Sequence, residues 1–123
     1  MEMSKVLTAL AALSQETRLA AYRLLVEHAP EGLPAGQVAE RLDIAPASLS
    51  FHLKELARAG LVVARPDGRF VWYSADLDAM NGVVAYLTDN CCRSSVVCDP
   101  RCAPRVRPLA ATKGSVAKRR RSA

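Results

Sequence analysis

Residues 48–62 read SLSFHLKELARAGLV, and this stretch decides the fold of the 123-residue chain. Leu49, Leu53 and Leu56 recur at positions i, i+4 and i+7, which is the spacing of one apolar helix face. Gly60 follows, and glycine commonly ends a helix because it tolerates the left-handed conformation. The pattern predicts a helix that buries three leucines and turns its opposite face outward.

A second short helix is predicted upstream, where residues 35–42 carry Val38, Ala39 and Leu42 on one side. Residues 43–45 form a corner, and Pro46 suits the first turn of the leucine-bearing helix, where a missing N–H costs nothing. Two short helices around a tight corner are a candidate helix-turn-helix, although an ordinary helical hairpin has the same pattern.

A β-hairpin is predicted downstream, in the sequence LVVARPDGRFVWYSA. Its strands are residues 61–65 and 69–74, joined at residues 66–68, where proline, aspartate and glycine favour a turn. A hairpin directly after a helix-turn-helix makes a winged helix. Trp72 and Tyr73 lie on opposite faces of the second strand, so we expect only one of them in the core.

Three further helices are predicted over residues 3–13, 15–28 and 77–90, with Ser14 as the cap of the second. Their apolar positions are Val6, Leu7, Leu10 and Leu13; Leu19, Tyr22, Leu25 and Val26; and Leu77, Val84, Tyr86 and Leu87. The expected fold class is therefore mainly α with a β-hairpin wing, a winged helix-turn-helix.

Charge divides the chain into two parts. Residues 1–92 carry eight basic and eleven acidic side chains, a net charge of −3, whereas residues 93–123 carry nine basic and one acidic, a net charge of +8. We predict a DNA-binding and dimerisation domain over residues 1–92, followed by a cysteine-containing segment and a basic, disordered tail over residues 93–123. Such a tail is either a solvated extension or a contact for nucleic acid.

No apolar run approaches the roughly 20 residues that a membrane span needs. The start, MEMSKVLTALAALSQE, has one lysine, an early glutamate and no convincing cleavage site, so we interpret it as a helix and not as a signal peptide. We expect a cytoplasmic protein without a membrane partner. In that compartment clustered cysteines indicate metal binding or redox chemistry more often than structural disulfides.

The order of these elements and their residues together resemble the ArsR/SmtB-type winged-helix repressors over roughly residues 6–98. The resemblance rests on LSQETRLAAYRLL in the second helix, on SLSFHLKELARAGLV, and on the wing ending in WYS. It implies a homodimer in which the first and last helices pair across the two-fold axis. It also implies that operator DNA is the main partner.

The DNA contacts are predicted from the outward faces of this fold. The helix face opposite the three leucines should enter the major groove, and the wing should reach a phosphate or the minor groove. We call the predicted contacts the reading surface: Ala47, Ser48, Ser50, His52, Lys54, Arg65 and Arg69. For His52, packing and hydrogen bonding at the helix surface is an equal alternative to DNA contact.

All four cysteines lie in NCCRSSVVCDPRC, residues 90–102, which we call the thiol segment. LTDNCC resembles the arsenic-responsive repressors whose site is a Cys-Cys pair plus a third cysteine beyond the last helix. The resemblance implies Cys91, Cys92 and Cys98 as ligands of As(III) or Sb(III), with no cofactor required. Cys102 is a possible further ligand. Soft trivalent centres match thiolate ligands, and Arg93 and Arg101 should favour the thiolate form.

Other functions for the cysteines remain open. A repressor of the same fold that responds to zinc, cadmium or lead is one alternative, because Cys98 and Cys102 have the spacing of structural zinc ligands. A thiol-redox switch through a Cys91–Cys92 or Cys98–Cys102 disulfide is another. A small thiol-dependent oxyanion reductase needs an anion-binding loop or a CxxC in a βαβ unit, and the sequence has neither. We therefore expect no enzyme, and a metal carrier would leave the winged helix unexplained.

Overall fold

The computed structural model describes residues 1–94 and 99–101 of the chain. Its elements are α1 Met3–Leu13, α2 Glu16–Glu27, β1 Leu33–Pro34, α3 Ala35–Leu42, α4 Pro46–Arg58, β2 Val62–Asp67, β3 Phe70–Ala75 and α5 Leu77–Thr88. Residues Met1–Leu87 form one compact unit, and a second unit begins at Thr88. No helix in the described ranges is long and apolar enough to cross a membrane.

Helix α4 supplies the centre of the core in the first unit. Leu49, Leu53 and Leu56 are at most 1% exposed, as their spacing predicted. Pro46 is the first residue of the helix, and Asp43 adopts a left-handed conformation (φ 55°) at the corner after α3. The predicted helix-turn-helix, α3 and α4, is confirmed.

The wing is longer than predicted and its turn is tighter. Asp67 pairs with Phe70 and Pro66 with Val71, so the turn is Gly68-Arg69 and not residues 66–68. Gly68 has a positive φ of 64°, which is the pattern of a type II′ hairpin turn. Pro66 is tolerated inside a strand because β2 is at the edge of the sheet, whose order is β1-β3-β2.

Strand β1 is the element that sequence reasoning missed. Leu33 pairs with Tyr73 and Pro34 with Trp72, which turns the hairpin into a three-stranded antiparallel sheet. Gly32 enters this strand with φ 85°, and a Cβ at this position would lie 2.0 Å from the carbonyl oxygen of Tyr73. Only glycine fits there. Tyr73 is buried and Trp72 is half-buried, which confirms that one aromatic ring of the pair belongs to the core.

Two predicted helix ends were wrong. The cap of α2 is Gln15, whose side-chain oxygen accepts a hydrogen bond from the amide of Arg18 at 2.9 Å, and not Ser14. Helix α5 ends at Thr88, two residues before the predicted end, because Asn90 takes a left-handed conformation (φ 60°) that interrupts the helix.

Helices α1 and α5 are only partly covered by the core. Val6 and Ala9 of α1 are buried, as is Val83 of α5. The predicted apolar positions Leu7 and Leu10 are 58% and 39% exposed, and Leu77 and Leu87 are 43% and 60% exposed. Leu19, which was predicted on the apolar face of α2, is 47% exposed. Within residues 1–94 and 99–101, the first and last helices therefore keep an apolar face in contact with solvent.

The core also contains one polar defect. Tyr22 is 4% exposed, and its Oη has no hydrogen-bond partner within residues 1–94 and 99–101. Burial raises the pKa of Tyr22 above its ordinary value, and the negative charge of Asp76 raises this pKa further.

Candidate nucleic-acid interface and thiol segment

On α4, Ala47 and Lys54 of the reading surface lie opposite the buried leucines, and Ser48, Ser50 and His52 lie beside them. Ala47, Ser48 and Lys54 are exposed, and Ser50 and His52 are half-buried. The cap residue Ala45 makes no side-chain hydrogen bond to the helix. The amides of the first turn are therefore available to a phosphate, in addition to the outward side chains.

The wing holds the other two predicted contacts. Arg65 and Arg69 are both exposed, and Arg69 occupies the two-residue turn at the wing tip. Arg65 pairs across the strands with Trp72, and its guanidinium carbon lies 5.3 Å from the centroid of the Trp72 ring. This cation–π contact restricts Arg65 more than Arg69.

His52 is held by a residue that sequence reasoning did not single out. Nη1 of Arg18 lies 3.1 Å from Nδ1 of His52, and Nε of Arg18 donates to the carbonyl oxygen of Ala12 at 2.6 Å. The His52 ring also meets Phe51 edge to face, with the centroids 5.4 Å apart. Arg18 lies inside LSQETRLAAYRLL, but only the fold brings it to α4.

The thiol segment places two sulfurs together. Sγ of Cys91 lies 3.8 Å from Sγ of Cys92, so the two residues are neighbours without a disulfide between them. Cys92 adopts a left-handed conformation (φ 63°). Its Sγ accepts a hydrogen bond from the amide of Asp99 at 3.3 Å. Cys98 and Cys102 lie outside the described residues, as does the predicted basic tail.

Asp99 and Arg101 form a clamp within the same segment. Nη2 and Nε of Arg101 donate to the Asp99 carboxylate at 2.7 and 3.0 Å, and the Arg101 amide donates at 2.8 Å. These hydrogen bonds lower the pKa of Asp99 and raise the pKa of Arg101. Since the Arg101 charge is compensated by Asp99, the predicted support of Arg101 for the thiolates is reduced.

Among residues 1–94 and 99–101, no cluster of three or more histidine, cysteine or acidic side chains has the arrangement of a metal site. The described residues therefore provide two of the three sulfurs that the predicted site needs. The role of Cys98 as a ligand stays a prediction.

Comparison with known proteins identifies a helix-turn-helix family and a relative of this chain. Residues 13–65 match a helix-turn-helix domain family. An uncharacterized HTH-type transcriptional regulator, YceK of Bacillus subtilis strain 168, is 41% identical over 63 residues, which are 51% of this chain and 62% of the relative. The chain therefore spans less than two thirds of the length of that relative.

Two solved structures have the same fold. An ArsR-like transcriptional regulator from Rhodococcus sp. RHA1 is 30% identical, with 68% of this chain and 76% of the other aligned and a TM-score of 0.58. A possible transcriptional regulator for arsenical resistance is 29% identical, with 64% and 79% aligned and a TM-score of 0.57.

Proposed function

The chain belongs to the ArsR-like winged helix-turn-helix transcriptional regulators, and we propose that it is a homodimeric repressor released from operator DNA by trivalent arsenic or antimony. The observation that carries the metalloid part is the pair of sulfurs, Cys91 and Cys92, held 3.8 Å apart just after α5. The similar structure described as a possible regulator for arsenical resistance supports the same ligand class.

The uncovered faces of α1 and α5 support the dimer. Leu7 and Leu10 on one helix and Leu77 and Leu87 on the other are exposed in the single chain. Fully burying an exposed leucine side chain stabilises a protein by about 1.5–3 kcal/mol. These four side chains are 39–60% exposed, so a second copy that covers them gains part of that amount from each. A two-fold dimer also sets two α4 helices at the spacing of two operator half-sites.

The sulfur geometry supports one centre bound by both thiolates. Two thiolates bound to one tetrahedral centre with bonds of about 2.3 Å lie about 3.8 Å apart, so Cys91 and Cys92 need little rearrangement to share a ligand. Cys98 would supply the third thiolate, a donor set that suits a soft trivalent centre. Each thiol gives up its proton when it becomes a ligand.

The proposed switch is a linkage between two sites. Cys91 and Cys92 follow directly after α5, and α5 would pair with its counterpart in the second copy. Bringing three thiolates to one point would therefore change how the two α4 helices are spaced. By linkage, the metalloid weakens DNA binding by the same factor by which DNA weakens metalloid binding. The coupling free energy that corresponds to this factor is typically about 1–3 kcal/mol.

A second inducer class follows from the same distance. The separation of 3.8 Å is that of two thiolates bound to one tetrahedral zinc ion, so the pair also suits zinc, and cadmium and lead belong to the same class of inducer. A thiol-redox-responsive repressor would instead form a Cys91–Cys92 or a Cys98–Cys102 disulfide when an oxidant takes up two electrons and the two thiols lose their protons. In each of these alternatives the protein is still a DNA-binding repressor, and only the inducer differs from the one that we propose.

The test is operator binding measured by fluorescence anisotropy of labelled DNA under reducing conditions. The duplex is one that the protein selects from a randomised library. We expect release on titration with arsenite and no release on titration with zinc. Release by zinc alone, or by oxidation alone, would leave a repressor but contradict the metalloid inducer, and the absence of any selected duplex would contradict the repressor itself.

A further inference from the structure

The two histidines of the chain make hydrogen bonds that require opposite tautomers. Nδ1 of His28 lies 3.0 Å from the carbonyl oxygen of Leu24, and its Nε2 lies 3.2 Å from Nη1 of Arg41. A carbonyl oxygen only accepts and a guanidinium only donates. His28 must therefore carry its hydrogen on Nδ1 and accept at Nε2.

The arrangement at His52 is the reverse. Its Nδ1 lies 3.1 Å from Nη1 of Arg18, so Nδ1 must accept and the hydrogen must sit on Nε2. The same arginine donates from Nε to the carbonyl oxygen of Ala12, in the last turn of α1. Because two different N–H groups of one planar guanidinium are engaged, Arg18 links the end of α1 to α4 in a defined orientation.

The Nε2–H of His52 is left for another partner. In the described part of the chain this Nε2–H makes no hydrogen bond. The Tyr22 hydroxyl is the one buried side-chain polar atom without a partner among the described residues, so Nε2 of His52 is not a buried atom and is accessible to solvent. His52 follows Ser48 by one helical turn, so both lie on the same side of α4, beside the row of buried leucines, where Ser48 is exposed and His52 is half-buried. The donor is thus presented on the reading surface.

We infer that Arg18 is a positioning residue for DNA recognition, which holds His52 as the neutral tautomer and offers its Nε2–H to a hydrogen-bond acceptor on DNA. The inference rests on the proposed function, in which α4 reads the operator. The acceptor is either a base edge, such as N7 or O6 of guanine, or a phosphate oxygen. A base contact would contribute to selectivity, and a phosphate contact would contribute equally on all sequences.

The first test needs no DNA. Long-range nitrogen–proton NMR spectra of the free, full-length chain, at neutral to mildly alkaline pH, distinguish the two neutral tautomers and the cation. We expect Nε2–H for His52 and Nδ1–H for His28, each in a single form. An Nδ1–H, averaged or doubly protonated His52 ring would overturn the inference, whatever the protein binds.

The second test measures DNA affinity in a double-mutant cycle. Arg18→Lys keeps the charge, but a single ammonium cannot reproduce the two-sided guanidinium contact. We expect it to weaken binding to the selected duplex about tenfold, the size of one hydrogen bond, and to have no further effect in a His52→Ala background. Arg23→Lys is the matched control, because Arg23 lies on the same helix in an exposed ion pair with Glu27.

The arms of this test separate the outcomes. A tenfold loss restricted to the selected duplex assigns a base acceptor, and an equal loss on a shuffled duplex assigns a phosphate. A loss that persists in the His52→Ala background, or one that Arg23→Lys matches, would overturn the positioning role. If the wild-type chain selects no duplex, the proposed function and the recognition role fail together, and the tautomers are still decided by NMR.

Discussion

Helices α4 and α5 both carry leucines, but the part of the chain that the structure describes covers only those of α4. Leu53 and Leu56 are fully buried, whereas Leu77 and Leu87 of α5 are 43% and 60% exposed. Helix α1 behaves like α5. Helix α4 is therefore covered within the fold of one chain, whereas the described residues leave an apolar face of α1 and α5 exposed, which the proposed dimer would cover.

The largest effect on stability is expected from the buried leucines of α4. Leu53→Ala removes a fully buried side chain, so we expect a loss of about 2–5 kcal/mol in the free energy of unfolding. Leu19→Ala is the control, because Leu19 is 47% exposed on α2 and should cost less than about 1 kcal/mol. Urea unfolding followed by circular dichroism measures both. Equal losses would contradict the assignment of the core.

The exposed apolar face of α1 is tested by introducing a negative charge. Leu7→Glu places a carboxylate on the exposed face of α1, and we expect it to weaken self-association by about 2–3 kcal/mol, or roughly a hundredfold. Sedimentation velocity would then show monomers at concentrations where the wild-type chain is dimeric. Leu19→Glu changes a leucine that is 47% exposed on α2 and should leave the dimer intact. A Leu7→Glu variant that remains dimeric would place the interface elsewhere.

A smaller effect is expected at the wing. Arg69→Ala removes an exposed guanidinium at the turn, and we expect affinity for selected and random DNA to fall alike, by about tenfold. The slope of log affinity against log salt should decrease by about 1, the value for one lost phosphate contact. Trp72, the one tryptophan of the chain, reports on the wing by its fluorescence. Unchanged affinity and slope would remove Arg69 from the interface.

The smallest effect concerns the buried hydroxyl of Tyr22. Because its Oη has no partner among the described residues, Tyr22→Phe should stabilise the protein by about 1 kcal/mol at neutral pH. The pKa of Tyr22 is raised in the folded state, so the unfolded state loses its proton first as the pH rises. Stability from this group is therefore lost above the ordinary tyrosine pKa, and Tyr22→Phe should remove that part of the alkaline loss.

Tyr73→Phe is the control for this prediction, because Tyr73 is a buried tyrosine whose hydroxyl is not among the buried atoms without a partner. Thermal unfolding at neutral and alkaline pH measures both variants. A Tyr22→Phe variant that is less stable than the wild type at neutral pH would mean that the hydroxyl has a partner, such as a buried water.

Most of the fold was predictable because it follows from local patterns. The leucine period gave α4, proline and the corner gave its start, and alternation gave the wing. Strand β1 was not predictable, because two residues have no period and their pairing with β3 depends on the tertiary fold. The exposed leucines were misassigned for a related reason, since periodicity identifies an apolar face and does not say which molecule covers it.

The candidate sites were predictable to different degrees. Outward positions on α4 follow from the buried face, and adjacent cysteines are visible in the sequence. The link between Arg18 and His52 joins residues 34 positions apart, so only the fold reveals it. The hydrogen bond from the Asp99 amide to the Cys92 sulfur could not be predicted from the sequence either. It accompanies a left-handed conformation of Cys92, which cysteine has no preference to adopt.

The proposed division of labour places DNA recognition on α4 and metalloid binding on the thiol segment of the same chain. Its most direct test is operator anisotropy with a Cys91→Ser/Cys92→Ser variant, measured with and without arsenite. We expect wild-type affinity for the operator without arsenite and no release when arsenite is added. Loss of operator binding in the absence of arsenite, or release that persists in its presence, would contradict the claim.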